Sequence, residues 1–519
     1  MTRLTRLSVY LVALLLFLFL SISALSKYQK VDSPTVSKTT NHDSNQQQQQ
    51  IYSTKYLSWL PHGEFTDQHE AFRNAIRLGK ELDRTVIAPM LRLGKPVSWQ
   101  PFDSLAQTYS LTQDKQQLSE KCRTASSATN DQACITMNDW TEIPWSSLFD
   151  LKAISTEFGI PIIERTQGHG WGTNETAAGL RDPIVDVAVV DVLTFIENAT
   201  FYSTNDGKWG GILGGRQRIV KQHQEQQLPL KTVIRPEQWS SLQQRQYIQF
   251  GALSSTARYQ VHSTTQQMAL RKALNRHLLV SPNQMAPLKQ QADQVIAMLG
   301  GVNHFSSLRL NFAKVIALDA RVNKDSFGTP RTTMDDLDTQ TQKEVMDAVV
   351  LEVFGDIPIN QAVSAALPVN ADSTLASVLL EHQQAPSSVS SSPLERRRLL
   401  DACINYRQQI EERYPIYYLV NDHIPSPASR PDIYGPLLSF FPCLFTKNDM
   451  KQWGELDMTT WIFSHPALQD KGVDYERMLD VMLDVLIAGQ GYSFFEVPNS
   501  PLTRFMSWQR RVVPAEHSQ

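Results

Sequence analysis

The stretch YLSWLPHGEFTDQHEAFRNAI, residues 56–76, decides the fold, because it reads as a strand, a glycine-containing loop and an amphipathic helix. Its first five residues form a short apolar run, and Thr66 is placed to cap the helix. The apolar helical positions that share one face are Phe72, Ala75, Ile76, Gly79 and Leu82. A β-branched run, 85–91, follows. The pattern predicts a strand, helix, strand unit.

The same alternation continues along the chain. Further strands are predicted at 161–163, 185–193, 316–318, 416–420 and 492–497. Between them lie helices such as 393–412, in which Ser392 is the expected N-cap, Pro393 lies in the first turn and Glu395 completes a capping box. Such alternation predicts an α/β protein with parallel sheets covered by helices. We expect two sheets, facing each other across a cleft, with the boundary at about residue 255.

Length and charge narrow the classes of partner that the protein is expected to bind. The chain has 519 residues, enough for two or three domains, and a formal net charge of −3 from 49 basic and 52 acidic residues. Because the charges are mixed, no basic field is expected to bind nucleic acid or coat an anionic membrane. No nucleic-acid partner is predicted.

The first fifty residues differ from the rest. We interpret 1–7 as a cytosolic tail, 8–26 as a signal anchor that crosses the membrane, and the polar segment 27–50 as a disordered stem. The alternative for the apolar segment is a cleaved signal peptide, which would make the protein secreted. With the anchor retained, the globular part is expected in the lumen of the endoplasmic reticulum or Golgi.

Two other features agree with a lumenal location. Asn174 and Asn198 begin N-glycosylation triplets. The four cysteines form an even set, for which we predict the pairs Cys122–Cys134 and Cys403–Cys443, each within one half of the chain.

The loop that opens the fold has an unusual charge. A loop between a strand and a helix often binds phosphate, yet this one carries Glu64 and Asp67, and carboxylates repel phosphate. Two interpretations stay open: a base that takes a proton from an acceptor hydroxyl, or, for Asp67, a partner for its own helix N-terminus.

Groups suited to a diphosphate occur later in the chain. Ser500-Pro501 is typical of a helix start just after a strand, with Thr503 in its first turn. Arg309 ends an apolar half-strand behind Gly300 and Gly301, and a guanidinium can bind a diphosphate through two parallel hydrogen bonds. An ordinary capped helix and a surface ion pair are the alternatives.

Three motifs together resemble the GDP-fucose protein O-fucosyltransferase family. The first is a Gly-x-Phe-x-Asn-Gln loop, here Gly63-Glu-Phe65-Thr-Asp67-Gln68. The second is His-Leu-Arg after a glycine-rich turn, here Ser307-Leu-Arg309. The third is a late strand and a Ser-Ser-Phe-Thr/Ser helix start, here FFEVPNSPLT, ending at Thr503. FGALSSTAR (250–258) and YYLVND (417–422) are further landmarks, and the resemblance spans 56–511.

The resemblance implies a GT-B architecture, in which two Rossmann-like domains, here 51–255 and 256–519, face each other across a cleft. It implies an inverting, metal-independent transfer of fucose from GDP-fucose, with the donor on the C-terminal domain and a protein or glycan acceptor. The residues that it places around the donor are Gly63, Phe65, Arg309, Asp422, Ser500 and Thr503. The proposed catalytic groups are Arg309, Glu64 and Asp67.

The sequence departs from the family pattern at three places. Asp67 replaces an asparagine, Ser307 replaces a histidine, and Leu310-Asn311 replaces a stretch that often carries an acid. These changes keep open a second function, that of a catalytically inactive relative that binds glycans or partner proteins. A metal-dependent transferase is disfavoured because the Asp-x-Asp at 335–338 looks like the start of a helix. A hydrolase is disfavoured because no Gly-x-Ser-x-Gly motif occurs.

Overall fold

The strand, helix, strand unit predicted for residues 56–91 is present in the computed structural model. β1 (Tyr56–Trp59) pairs in parallel with β2 (Thr85–Ala88), and α1 (Phe65–Leu82) joins them. All five apolar positions predicted to share one face of α1 are buried. The unit forms because that face packs on β1 and β2 and removes large side chains such as Phe72 from water.

The structure describes residues 54–97, 102–111, 115–124, 132–165, 186–190, 200–202, 231–234, 242–254, 257–259, 261–280, 284–310, 369–384, 392–421, 437–438, 440–458, 462, 465–468, 470, 472–497 and 505–506. All of them belong to one compact unit, Tyr52–Gln519.

The described residues form further strands and helices in mixed order. The other strands are β3 (Leu91–Gly94), β4 (Trp140–Ile143), β5 (Ile162–Glu164), β6 (Val187–Val190), β7 (Thr200–Tyr202), β8 (Lys231–Ile234), β9 (Tyr247–Phe250), β10 (Ala257–Tyr259), β11 (Ser306–Leu310), β12 (Tyr417–Asn421), β13 (Leu444–Phe445) and β14 (Phe494–Val497). The other helices are α2 (Phe102–Leu111), α3 (Lys115–Thr124), α4 (Gln132–Ile135), α5 (Leu151–Phe158), α6 (Thr265–His277), α7 (Ala286–Met298), α8 (Thr374–Gln384), α9 (Pro393–Gln409), α10 (Lys447–Gln452) and α11 (Tyr475–Ala488).

Two parallel sheets organise these elements. The first has the order β5-β2-β1-β9-β6, and the second has the order β13-β12-β11-β14. A smaller sheet, β10-β8-β7, and the antiparallel pair β3-β4 complete the described pairings. The α/β class with parallel sheets is therefore confirmed.

Helix packing links these sheets to one core. α6 packs on α1 and α5 beside the first sheet, whereas α7 packs on α11 beside the second. One hydrophobic cluster contains residues of both sheets, from Leu57 in β1 to Val420 in β12. The domain boundary at residue 255 stays a prediction.

Local details correct two sequence-based expectations. Helix α1 is capped by Glu64, not by Thr66, because Gly63 turns the chain with a φ of 76° and the helix begins at Phe65. The run 85–91 is broken at Pro89, so that β2 ends at Ala88 and β3 pairs elsewhere. The N-cap of α9 is Ser392, as expected, and its hydroxyl accepts a hydrogen bond from Glu395 N at 3.4 Å. The return bond from the Glu395 side chain, which would complete a capping box, stays a prediction.

Both predicted disulfides are confirmed. Cys122 is bonded to Cys134 across the α3–α4 connection, and Cys403 on α9 is bonded to Cys443 just before β13. Each bond joins segments of one half of the chain and restricts the unfolded ensemble.

Several predictions fall outside the described residues. They are the tail, anchor and stem at 1–50, the glycosylation triplets at Asn174 and Asn198, the strand at 316–318 and the Asp-x-Asp at 335–338. Among the helices that the structure describes, none combines the length and apolarity needed to cross a bilayer.

Arg84 fixes the amino-terminal edge of the first sheet. Its guanidinium is buried and donates hydrogen bonds to four carbonyl oxygens, those of Tyr56, Leu242, Gln243 and Gln246, at 2.7–3.4 Å. Burial lowers the pKa of Arg84 to about 10, so the side chain stays charged at neutral pH. The arginine thus holds β1 and the turn before β9 together.

We expect Arg84→Met to lower the free energy of unfolding by about 3 kcal/mol, because the buried carbonyls lose their donors while the aliphatic stem is kept. Urea denaturation measures the change. The control is Arg245→Met, which removes an ion pair to Asp186 from a side chain that is 48% exposed; its expected cost is below about 1 kcal/mol. Equal losses in the two variants would contradict this role of Arg84.

Candidate functional site

The loop after β1 lies at the carboxyl edge of the first sheet, between β1 and β9. The chain leaves β1 towards β2, whereas β9 lies on the other side of β1. Ligands of α/β proteins bind at such points, where the strand order reverses. Within the loop, Gly63 N donates to Val97 O at 2.8 Å. A Cβ atom at Gly63 would lie 2.4 Å from the Asp67 carboxylate, so this position requires glycine.

Gln68 holds this loop against β3. Its Nε2 donates to Gly63 O at 3.2 Å and to Arg92 O at 2.9 Å, and its Oε1 accepts from Arg92 N at 2.9 Å. The side chain is buried. The glutamine of the first motif therefore has a structural task, which is to fix the position of the loop.

The two acidic residues of the loop have different surroundings. The Asp67 carboxylate accepts a hydrogen bond from Glu64 N at 3.3 Å and lies in the first turn of α1. It thus satisfies a helix N-terminus, as the second interpretation of this residue required. Glu64 is exposed. Their roles in catalysis stay predictions.

Phe65 packs inside the protein. Its ring, 9% exposed, lies 5.7 Å from the ring of His69 and 5.5 Å from that of Phe505. His69 and Phe505 also contact each other, with 4.6 Å between their rings. The start of α1 thus packs against a helical residue near the end of the chain. The contact of Phe65 with a donor stays a prediction.

Arg309 lies at the carboxyl end of the second sheet. It is the penultimate residue of β11, and its backbone pairs in register with Val420 of β12 and Glu496 of β14. Because these strands are parallel, β14 ends at the same edge. Its side chain is half-buried and engaged in an interaction within the protein.

Phe505 relates the two carboxyl edges to each other. β14 ends at Val497, and at about 3.6 Å per residue the chain from there to Phe505 spans at most about 29 Å. Because the Phe505 ring touches the Phe65 ring, the end of β14 lies within about 40 Å of the start of α1. Ser500, Thr503 and Asp422 lie outside the described residues.

Ser307 occupies a packed position. It is fully buried, and its hydroxyl donates to Ala488 O at the end of α11 at 3.5 Å. A Cβ atom at Gly491 would lie 3.1 Å from the same hydroxyl. The space beside position 307 is therefore small, and the serine side chain fits the close packing of the turn after α11 on β11.

Two buried histidines flank the loop. Burial lowers the pKa of His62 to about 4, and burial, with a contribution from Arg73, lowers that of His69 to about 3. His69 Nε2 lies 3.0 Å from Leu278 O and donates to it. Both imidazoles are neutral at neutral pH.

Sequence reasoning missed the structural role of Gln68 and gave no role to His62, His69 and Arg92. The glutamine was visible in the first motif, but its partners are in β3, which pairs with a strand far away in the chain. Nothing in the local pattern marked the two histidines as buried. Among the described residues, no group of three or more His, Cys, Asp or Glu side chains is arranged to hold a metal ion.

The fold and the two strand edges define a class: an α/β protein with two parallel sheets, each with a motif residue at or beside its carboxyl edge. No family model matches the sequence, and no curated protein matches it.

Solved structures of POFUT1 align with the chain at 11% identity. The complex with GDP-fucose aligns over 89% of this chain and 95% of that chain, with a TM-score of 0.33. The apo form gives a TM-score of 0.32 over 89% and 96%, and the complex with GDP 0.34 over 88% and 94%. At TM-scores this low, the superpositions transfer neither fold nor function to this chain.

The two histidines predict a pH dependence of stability. In the folded protein the pKa values of His62 and His69 lie below the unfolded value of 6.5. The contribution of each histidine to the free energy of unfolding is therefore complete above pH 6.5. It is lost as the pH falls towards about 4 for His62 and about 3 for His69. At pH 5 we expect each histidine to lower the free energy of unfolding by about 2 kcal/mol relative to neutral pH.

Urea denaturation at pH 7.5 and pH 5 measures this loss. Between pH 7.5 and pH 5, the free energy of unfolding of His69→Gln should fall by about 2 kcal/mol less than that of the wild type. His304→Gln, which changes an exposed histidine, is the control and should lose as much as the wild type. An equal pH dependence in all three proteins would refute the assignment.

Proposed function

We propose that this chain is a glycosyltransferase that transfers fucose, or a related sugar, from a GDP-sugar to a hydroxyl of a protein or glycan. The observation that carries the proposal is the position of two motif residues. Glu64 lies in the loop at the carboxyl edge of one parallel sheet, and Arg309 at the carboxyl edge of another. Such edges are where α/β proteins bind nucleotides and their substrates. A GT-B arrangement of the two sheets is part of the proposal.

On the donor side, the Arg309 guanidinium binds the diphosphate and stabilises the charge that develops on the leaving GDP. Arginine suits this task because it stays charged and offers two parallel donors. Ser500 and Thr503 contribute hydroxyl groups around the phosphates and the fucose, and Asp422 contacts the nucleotide; these three roles rest on the motifs alone. The transfer needs no metal ion.

On the acceptor side, a carboxylate takes the proton of the attacking hydroxyl as the sugar develops oxocarbenium character. Inverting transfer then follows from attack on the face opposite the GDP. We assign the base to Glu64 because its side chain is the more exposed of the two. Both carboxylates belong to the capping box at the start of α1, so exposure is what separates them. Gly63 and Phe65 shape the loop.

The proposed setting is the lumen of the endoplasmic reticulum or Golgi, with residues 8–26 as the membrane anchor. If that segment is cleaved, the protein is secreted. The two disulfides support an oxidising compartment.

Donor specificity is tested by calorimetry of the purified lumenal part with GDP, GDP-fucose, GDP-mannose and UDP-sugars, together with release of free sugar. We expect saturable binding of GDP and GDP-fucose and slow release of fucose only. Arg309→Ala is expected to weaken GDP binding at least 10-fold, since it removes charge-assisted hydrogen bonds. Arg398→Ala, which removes an exposed ion pair with Glu381, is the control.

If the wild type binds no GDP, the transferase assignment is wrong and the inactive relative that binds glycans or proteins becomes the better interpretation. If Arg309→Ala and Arg398→Ala bind GDP equally well, the diphosphate does not contact Arg309.

The base is tested by Glu64→Gln and Asp67→Asn. We expect the first to lower the rate of fucose release about 100-fold or more at unchanged GDP affinity, because it removes the proton acceptor. Asp67→Asn restores the family's residue and can still accept a hydrogen bond from Glu64 N, so it should keep most of the activity. The reverse result would assign the base to Asp67.

A further inference from the structure

The pair β3-β4 connects the two edges that the proposed function uses. At its first end, β3 contacts Gln68. The Gln68 side chain accepts a hydrogen bond from the backbone N–H of Arg92 and donates one to the Arg92 carbonyl. The same glutamine bonds Gly63 O in the loop that carries Glu64. Any shift of β3 is therefore transmitted to that loop.

The interior of the pair is itself stiff. The Arg92 guanidinium lies 3.9 Å above the Trp140 ring of β4, and its Nε donates to Lys95 O at 3.1 Å. Lys95 N in turn donates to Asp139 O at 2.8 Å, just before β4. Backbone pairing and a buried cation stacked on an aromatic ring hold β3 and β4 as one body.

The second end of the pair docks on α11. The hydroxyl of Thr141, in β4, donates to the Asp470 carboxylate at 2.6 Å and lies 3.4 Å from the Tyr475 hydroxyl. Asp470 N donates to that same tyrosine oxygen at 2.9 Å. At Gly94 a Cβ atom would lie 2.7 Å from Met478 Cε, so the strand approaches α11 closely.

Helix α11 completes the connection to Arg309. Tyr475 begins the helix, and Ala488 at its end accepts the hydrogen bond from Ser307 in β11. Arg309 is in the same strand, two residues beyond Ser307. A continuous series of hydrogen bonds and rigid elements thus runs from the loop of Glu64 to the strand of Arg309.

We propose that the β3-β4 pair is a spacer that sets the separation between the Glu64 loop and the Arg309 strand, with Gln68 and Thr141 as its positioning residues. The role in turnover rests on the proposed function. Transfer requires the base, the acceptor and the donor to be held within a fraction of an ångström, and a misplacement of about 1 Å can cost 100-fold in rate. Neither residue needs to touch a ligand.

The variants that test the spacer are Gln68→Leu and Thr141→Val, each of similar size to the native residue. We expect each to lower kcat for fucose release about 10-fold to 100-fold. The GDP affinity should stay within about twofold, because Arg309 is unchanged. In the double variant the two losses should not multiply, since either change alone releases the loop from α11.

Matched controls separate positioning from folding. Gln267→Leu removes another buried glutamine that bonds Arg77 O and Glu81, away from the loop. Thr108→Val removes a hydroxyl that bonds Ser104 O within α2. Both controls should leave kcat and GDP affinity unchanged. Equal losses of kcat in Gln267→Leu and Gln68→Leu, or a parallel fall in GDP affinity, would overturn the proposal.

A distance measurement tests the spacer without turnover. All four cysteines are in disulfides, so cysteines introduced at the exposed positions Lys152 and Glu412 can be spin-labelled selectively. Thr141→Val should broaden the distance distribution between the labels, and Thr108→Val should not. An unchanged distribution in Thr141→Val would overturn the spacer even if the wild type shows no turnover, which by itself refutes only the proposed function.

Discussion

The structure depends on how β1 and β9 are held in register at the centre of the first sheet. Their pairing runs from Tyr56 opposite Tyr247 to Trp59 opposite Phe250, and the guanidinium of Arg84 binds the backbone beside its start. A slip of one residue would turn every side chain of β1 to the other face. Because this register is fixed at the amino edge, the loops at the carboxyl edge leave the sheet at defined places.

At the carboxyl edge, backbone geometry and side-chain hydrogen bonds together fix the loop after β1. Gly63 permits the turn, Asp67 satisfies the helix start and Gln68 anchors the loop to β3. With the loop fixed by these three residues, Glu64 stays exposed beside a helix N-terminus. The loop therefore presents a carboxylate, which repels phosphate, at an edge where α/β proteins often bind an anion.

What the sequence predicted well was local. The amphipathic face of α1, the Ser392 cap and both disulfides follow from periodicity, capping chemistry and cysteine positions. What it missed was distant in the chain. The pairing of β3 with β4, the partners of Gln68 and the contact of His69 with Phe505 join segments that no local pattern relates. The packing of Ser307 likewise depends on α11.

The contact between Phe505 and the first helix has a consequence for biosynthesis. The chain is synthesised from its amino end, so α1 leaves the ribosome long before Phe505, whose ring packs on Phe65 and His69. Until residue 505 leaves the exit tunnel, Phe65 and His69 lack one of their native aromatic neighbours, while Phe149 can already contact His69. Native packing at the start of α1 therefore waits for a segment that is synthesised long after the helix itself.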